Sequence, residues 1–260
     1  MLSEHQRQAA AESLLDAEKT RIVIPQLSKT YPQMQIEDAY DVQRRWAEGR
    51  VAQGARIVGR KIGLTSRAMQ LASKMTEPDY GVILDDALFK DGARISAGAF
   101  IKPRLETELA FVMGEDLAGA GCQMHDVMRA TEFVSPALEI IDYRTAVPRA
   151  IVDTIADNAA FGAIVMGGRI FRPFDIDVRW VAATLSKNGV IEESGVSAAI
   201  MGHPAAGIAW LVNKLAPLGE GLKKGDIVLG GSFTRPVDIE SGDVVSADYG
   251  PLGSIGVSFE

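Results

Sequence analysis

The chain has 260 residues, of which 47% are hydrophobic and 23% charged, and it carries a formal net charge of −7. That much apolar material builds a substantial core, while the acidic balance leaves no basic field to hold a nucleic-acid backbone. The single cysteine, Cys122, excludes an intrachain disulfide and a thiolate metal site and suits a reducing compartment. Set in GAGCQMHD, a turn running into a helix, it reads as a small hydrophobic filler.

The N-terminal stretch MLSEHQRQAAAESLLDAEKTRI is charged throughout and is predicted to form an amphipathic helix over residues 4–20. It lacks the uninterrupted apolar run that export or membrane insertion needs, which points to a cytoplasmic protein with no membrane partner. A second helix is predicted in IEDAYDVQRRWAEGRVAQG, where Ile36, Ala39, Tyr40, Val42 and Trp46 form one apolar stripe and Glu37 and Asp38 favour the first turn. RIVGRKIGLTS is a short β-branched run broken by glycines, and SRAMQLASKM reads as a further short helix. From about residue 82 strands and turns dominate, through GVILDDALF, a turn at Asp91 and Gly92, FIKPRLETELAFVM and a GEDLAGAG loop. A helix in HDVMRATEFV then separates the glutamate-bearing run from a second apolar run, ALEIIDY.

The β pattern resumes in AFGAIVMGG, in VRWVAATLSKNGVIEESG with its NG hairpin turn, in GDIVLGGSFTRPVDI and in DVVSADYGPLGSIGVSF. One helix, from Pro204 to about Leu215, interrupts it. Strands and helices do not alternate regularly, so the expected class is α+β with a large mixed or antiparallel sheet assembly. The expected layout is a mostly helical N-terminal section, residues 1–80, leaning on a β-rich core, residues 81–260, that forms one compact unit.

If Leu105 to Phe111 is a strand, Glu106 and Glu108 project from the same face as near neighbours. Either water solvates that face or a cation absorbs the two charges. Glu139, with Ala137 and Leu138 before it and Ile140 and Ile141 after it, is a carboxylate in an apolar setting. Unpartnered, it would be driven neutral; it calls for a divalent ion, or for a salt bridge with Arg104 or Arg144. Three carboxylates without histidine or cysteine suit a hard ion such as magnesium or manganese.

Upstream, Lys61 stands between Gly59 and Gly63 in GRKIGLTS, where backbone can approach a ligand, and Asp79 lies at a probable turn in EPDYG. Lys61 is then either an acid–base group or a surface lysine, and Asp79 either a proton carrier or a turn residue. Asp153, Asp157 and Asn158 suit capping as well as substrate contact. GGSFTRP, residues 230–236, ends a strand beside a ligand or merely turns. The histidines His5, His125 and His203 are not spaced for ligation or a triad, and no nucleophile elbow or nucleotide-binding glycine fingerprint is present.

IEDAYDVQ, GRKIGLTS, EPDYG, PRLETELAF, SPALEIIDYR, DTIADNA, KNGVIEESG, HPAAGIAWL, GGSFTRPV and GSIGVSF, in this order, resemble one family over nearly the entire chain. It is the hydratase and decarboxylase branch of the fumarylacetoacetate hydrolase superfamily, found in the lower meta-cleavage pathways of aromatic catabolism. The resemblance implies a β-rich roll with a smaller N-terminal α/β part and a homo-oligomer, pentamer or decamer. It also implies a magnesium ion, or manganese, on Glu106, Glu108 and Glu139, with Lys61 and Asp79 as the catalytic pair. Leu64, Thr65, Asp157, Asn158, Ser232 and Arg235 are expected at the substrate, Arg235 either as partner to a second, terminal carboxylate, which a guanidinium matches in two parallel bonds, or as a plain surface arginine. The implied reaction is hydration of a 2-hydroxy-dienoate or 2-oxo-enoate, first 2-oxo-hept-4-ene-1,7-dioate and then 2-hydroxypenta-2,4-dienoate. Decarboxylation of 4-oxalocrotonate, or non-catalytic binding of oxo acids on the same scaffold, are the alternatives.

Overall fold

Two long helices open the chain. Ser3 starts the first, Glu4–Thr20, by a reciprocal cap: its hydroxyl accepts from the Gln6 amide while the Gln6 side chain accepts from the Ser3 amide. Ala10, Ala11, Leu14 and Ala17 form the buried face of that helix and meet Ala39, Val42 and Trp46 of the second, Ile36–Ala52. Ala10 and Leu14 are four residues apart, and Ala11, Leu14 and Ala17 three apart, so these small or branched side chains share one face and let the two helices approach closely. Ile36, the first member of the expected stripe, stays 37% exposed because it begins its helix at the protein edge. The computed structural model describes residues 1–72 and 75–260. Part of the expected helix SRAMQLASKM is observed at Arg67–Ala72, and Ser73 and Lys74 lie outside the described residues.

The site is carried by an eight-stranded mixed sheet. Across it run Asp79–Leu84, Ile57–Gly63, Ile227–Leu229, Arg104–Met113, Thr131–Ile141, Phe161–Met166 and Leu88–Lys90, and the eighth strand, Val237–Asp238, pairs with the start of Arg104–Met113. The sheet takes its first strand at Ile57, directly after the helical section, so Lys61 and Asp79 already belong to it. At its centre, Arg104–Met113 and Thr131–Ile141 pair antiparallel with Glu106 opposite Glu139 and Glu108 opposite Ala137. Alternation sends Leu105, Leu109 and Phe111 of one strand, with Val134, Leu138 and Ile140 of the other, into the main core, and turns the glutamates to the opposite face. The chain thus has the expected α+β class.

The helix Pro204–Leu215 covers the core with Ala205, Ile208, Leu211, Val212 and Leu215. Proline in its first turn gives up no hydrogen bond. A second sheet of five strands includes the hairpin Ala182–Lys187 and Val190–Val196, closed at Asn188 and Gly189 with φ of 53° and 81°. Both signs are those a tight two-residue hairpin requires.

One element differs from expectation. The helix in HDVMRATEFV ends at Ala130, and Thr131 to Val134 begin an eleven-residue strand that continues through ALEII. The β-branched and aromatic residues there pair with Phe111 to Met113, and a long ladder outweighs local helical spacing. Among the described residues, no helix is long and apolar enough to cross a membrane.

Candidate active site

Among the described residues, Glu106, Glu108 and Glu139 are the one trio of potential ligand side chains that converge, with one oxygen from each within 4.8 Å of the others. They line a cavity of about 890 Å³ together with Lys61, Leu64, Thr65 and Asp79. Glu108 and Glu139 are fully buried, and Glu106 is half-buried at the cavity wall. Burial first, and then the charge of Glu139, push the Glu106 carboxyl up to about 8. Glu108 is pushed well above the usual carboxyl range by burial and its two glutamate neighbours. Burial raises Glu139 as well, against the pull of Lys61. One oxygen of Glu108 accepts from the Gly231 amide at 2.9 Å, whereas neither oxygen of Glu139 has a hydrogen-bond partner among the described residues. Gly231 holds that amide in place at φ 116°, a conformation open to glycine and strained for any other residue.

Lys61 reaches the trio from Ile57–Gly63, across the intervening strand Ile227–Leu229. Its ammonium stands 3.1 Å from Glu139 Oε1, an ion pair off the hydrogen-bond axis, and donates to the Ala159 carbonyl at 2.8 Å. The ion-pair partner of Glu139 is therefore Lys61, and not Arg104 or Arg144. Burial works to strip the Lys61 proton, but Glu139, Asp79, Glu108 and Glu106 outweigh it and hold the pKa above the ordinary lysine value. Asp79 is paired in register with Gly63, and both of its oxygens are buried without a hydrogen-bond partner among the described residues. A side chain at Gly63 would collide with the Asp79 carboxylate, so glycine is what lets it lie against Lys61. Burial raises the Asp79 pKa despite Lys61 nearby.

The Ala159 carbonyl owes its position to an unusual turn. Asn158, Ala159 and Ala160 are consecutive residues with φ of 50°, 50° and 61°, a conformation that costs each non-glycine residue roughly 1–2 kcal/mol. The Asn158 side chain holds it: Oδ1 accepts from the Val82 amide at 2.8 Å and Nδ2 donates to the Val82 carbonyl at 2.9 Å. The amide thus acts as one more strand residue on the edge of Asp79–Leu84.

The remaining residues divide. Leu64, at φ 54°, and Thr65 lie on the cavity wall, and so does Ser232, whose hydroxyl is engaged with the Thr234 backbone. Asp157 and Asn158 do not line the cavity. Asp157 is buried against Arg144, which reaches one oxygen through Nη1 at 2.7 Å and the other through its amide at 2.9 Å. Both were expected at the substrate because polar residues before an apolar strand resemble ligand contacts; here they serve the backbone and a buried arginine. Arg235 stands at the rim, 81% exposed and 2.7 Å from Glu193. Cys122 is half-buried, and burial pushes its thiol up, as befits a filler. Three wall residues escaped sequence reasoning: Arg104, Tyr143 and Arg149. Arg104 carried a readable signal, since it precedes Glu106 by two on the same strand and so shares its face.

The donor set fits a hard divalent cation. Three convergent carboxylates, two of them fully buried, lean on one ammonium, and the Glu139 oxygens have no other hydrogen-bonding use. Oxygen donors without nitrogen or sulfur select magnesium or manganese over softer metals.

Comparison with known proteins agrees with this frame. The 2-oxo-hept-4-ene-1,7-dioate hydratase of Escherichia coli is 49% identical over 266 residues, covering 100% of both chains. The 2-keto-4-pentenoate hydratase of Paraburkholderia xenovorans strain LB400 is 36% identical, covering 100% of this chain and 97% of its own. The structure of 4-oxalocrotonate decarboxylase from Pseudomonas putida G7, complexed with magnesium and adipate, superposes with a TM-score of 0.97 at 34% identity, covering 100% of this chain and 99% of that one. Residues 52–259 match the fumarylacetoacetate (FAA) hydrolase C-terminal family. That match spans every strand bearing Lys61, Asp79 and the three glutamates, and by it the chain is a member of the fumarylacetoacetate hydrolase family.

Proposed function

We propose that this protein is a divalent-metal-dependent hydro-lyase that converts 2-oxo-hept-4-ene-1,7-dioate to 4-hydroxy-2-oxoheptanedioate in the catabolism of aromatic meta-cleavage products. The observation that carries the reading is the convergence of Glu106, Glu108 and Glu139 beside Lys61 and Asp79 in one cavity, in a chain 49% identical to a hydratase of that name. The glutamates would hold magnesium, or manganese in its place. When bound, the ion supplies a hard Lewis acid for the carboxylate and 2-oxo oxygens of the acid and stabilises charge developing there.

The chain's own groups move the protons. Hydration requires that a proton leave C3 and another reach C5, which brings the double bond into conjugation with the 2-oxo group; water oxygen then bonds to C4 and a proton returns to C3. Lys61, held as an ammonium and oriented by the Ala159 carbonyl, delivers the proton to C5 and, then neutral, takes the proton released by water. Asp79, whose buried oxygens have no hydrogen-bond partner among the described residues, takes the proton that leaves C3 and returns it there once water has added. Leu64, Thr65 and Ser232 shape the cavity around the carbon chain.

Decarboxylation of 4-oxalocrotonate is the second reading, favoured by the backbone likeness to such a decarboxylase at TM-score 0.97 and disfavoured by an identity of 34% against 49%. The same reading places the protein in the cytoplasm as a homo-oligomer, which the single cysteine and the family support. Incubation of the purified protein and magnesium with each acid, following the 4-hydroxy product and carbon dioxide separately, tests it. Water addition to the heptenedioate without carbon dioxide release is the expected result; carbon dioxide release from 4-oxalocrotonate as the faster reaction would replace it.

A further inference from the structure

Arg149 has a guanidinium with more donors than acceptors. Its side chain is 11% exposed, and its Nη1 is buried with no hydrogen-bond partner among the described residues. The nearest carboxylate, Asp157, lies 3.5 Å away and is already occupied on both oxygens by Arg144. The guanidinium carbon sits 3.7 Å from the centre of the Tyr143 ring, and that of Arg104 lies 5.3 Å from the same ring. All three residues line the cavity of the glutamate trio. Arg104 also reaches the Tyr143 hydroxyl at 3.5 Å, and its ion-pair partner among the described residues is Asp238, which is 60% exposed, so water screens that contact.

We infer that Arg149, with Arg104 beside it on Tyr143, binds the second carboxylate of a dicarboxylic oxo acid and thereby selects diacids over monoacids. The assignment builds on the oxo-acid reading given above. A planar guanidinium stacked on an aromatic ring keeps its edge free, and that edge matches a carboxylate in two parallel hydrogen bonds. A buried guanidinium with donors left unbonded is costly, and an incoming carboxylate relieves it. The strand sets the reach: Arg104 and Glu106 are on one face two residues apart, about 6.7 Å along the strand. An extended chain of about seven carbons, with bonds of ~1.5 Å, spans a distance of that order. Arg235, at 81% exposure and paired with Glu193, has neither the burial nor the free edge for the task.

The test is calorimetric binding, with magnesium present, of 2-oxoheptanedioate and 2-oxoheptanoate, which share a chain length and have no double bond to hydrate. The wild-type protein is expected to prefer the diacid by about 30-fold or more. Arg149→Gln is expected to remove most of that preference by weakening the diacid, with the monoacid changed less than about threefold. Arg149→Lys, which keeps the charge and loses the planar fork, recovers only part of it. Loss of affinity for both acids in equal proportion would show a structural role and overturn the assignment, as would a preference that survives Arg149→Gln and vanishes in Arg235→Gln. A wild-type protein that binds the two acids equally refutes the assignment and leaves the oxo-acid reading standing. Binding of neither acid removes that reading and the assignment with it.

Discussion

Replacing Lys61 by methionine separates the two tasks assigned to this ammonium. Methionine keeps the bulk of the stem and removes the positive charge that Glu106, Glu108, Glu139 and Asp79 share. At the observed 3.1 Å from Glu139 and an effective dielectric constant of ~20, the ion pair is worth about 5 kcal/mol before desolvation is counted. Breaking a buried pair costs about 3–5 kcal/mol, and the raised pKa of Glu139 lets it take up a proton, which places the loss toward the lower end. Urea denaturation in chelator at neutral pH should therefore show Lys61→Met to be about 3 kcal/mol less stable, read from the midpoint at unchanged slope. Saturating magnesium supplies the missing positive charge, and the gap between variant and wild type should narrow to about 1 kcal/mol. Turnover should stay down by about 10²–10⁴-fold in magnesium, because the ion replaces the charge of Lys61 and not its proton. Equal stability of the two proteins in chelator would refute the counter-ion role, and a gap indifferent to magnesium would refute the shared electrostatics.

Three further outcomes follow from the same geometry. Asn158→Ala, which strips both Val82 hydrogen bonds from the left-handed turn, should cost about 2–3 kcal/mol and lower kcat more than KM through the displaced Ala159 carbonyl; denaturation and steady-state kinetics check it. Stripping divalent ions should abolish turnover and lower the unfolding temperature, and magnesium at about a hundred times its Kd should restore about 2.7 kcal/mol. His203 caps the helix Pro204–Leu215 by accepting from the Ala205 amide at 3.1 Å, and burial holds its pKa below the ordinary histidine value. A depressed histidine pKa means that this contribution is complete above about pH 6.5 and is lost as pH falls through the folded value. His203→Asn keeps an acceptor and cannot titrate, so its stability relative to wild type should rise by about 0.5–1 kcal/mol between pH 7.5 and pH 5.5.

What could be read in the sequence was local. Period-two alternation put Glu106 and Glu108 on one face, the NG dipeptide closed the hairpin at Asn188, and the segment Pro204 to Leu215 showed its helix by a first-turn proline and apolar spacing. The register that sets Glu139 opposite Glu106 is a non-local ladder, invisible to spacing, and the resemblance to a family supplied the grouping that spacing left open. Lys61 was visible as a lysine between glycines, but its orienting partner is a backbone carbonyl in a left-handed turn, which residue types do not announce. Asn158 looked like a ligand contact because an amide suits substrate and strand edge alike. Arg235 and Arg149 are alike as letters, and only burial and the company of Glu193 or Tyr143 tell them apart.

Manganese titrated into chelator-stripped protein and followed by electron paramagnetic resonance tests the central claim most directly, because it counts ions without requiring turnover. One ion per chain is the predicted stoichiometry, with at least about 100-fold weaker binding in each of Glu106→Gln, Glu108→Gln and Glu139→Gln. Wild-type affinity in all three glutamine variants, or no bound ion in the parent protein, would contradict the metal centre and the hydration chemistry built on it.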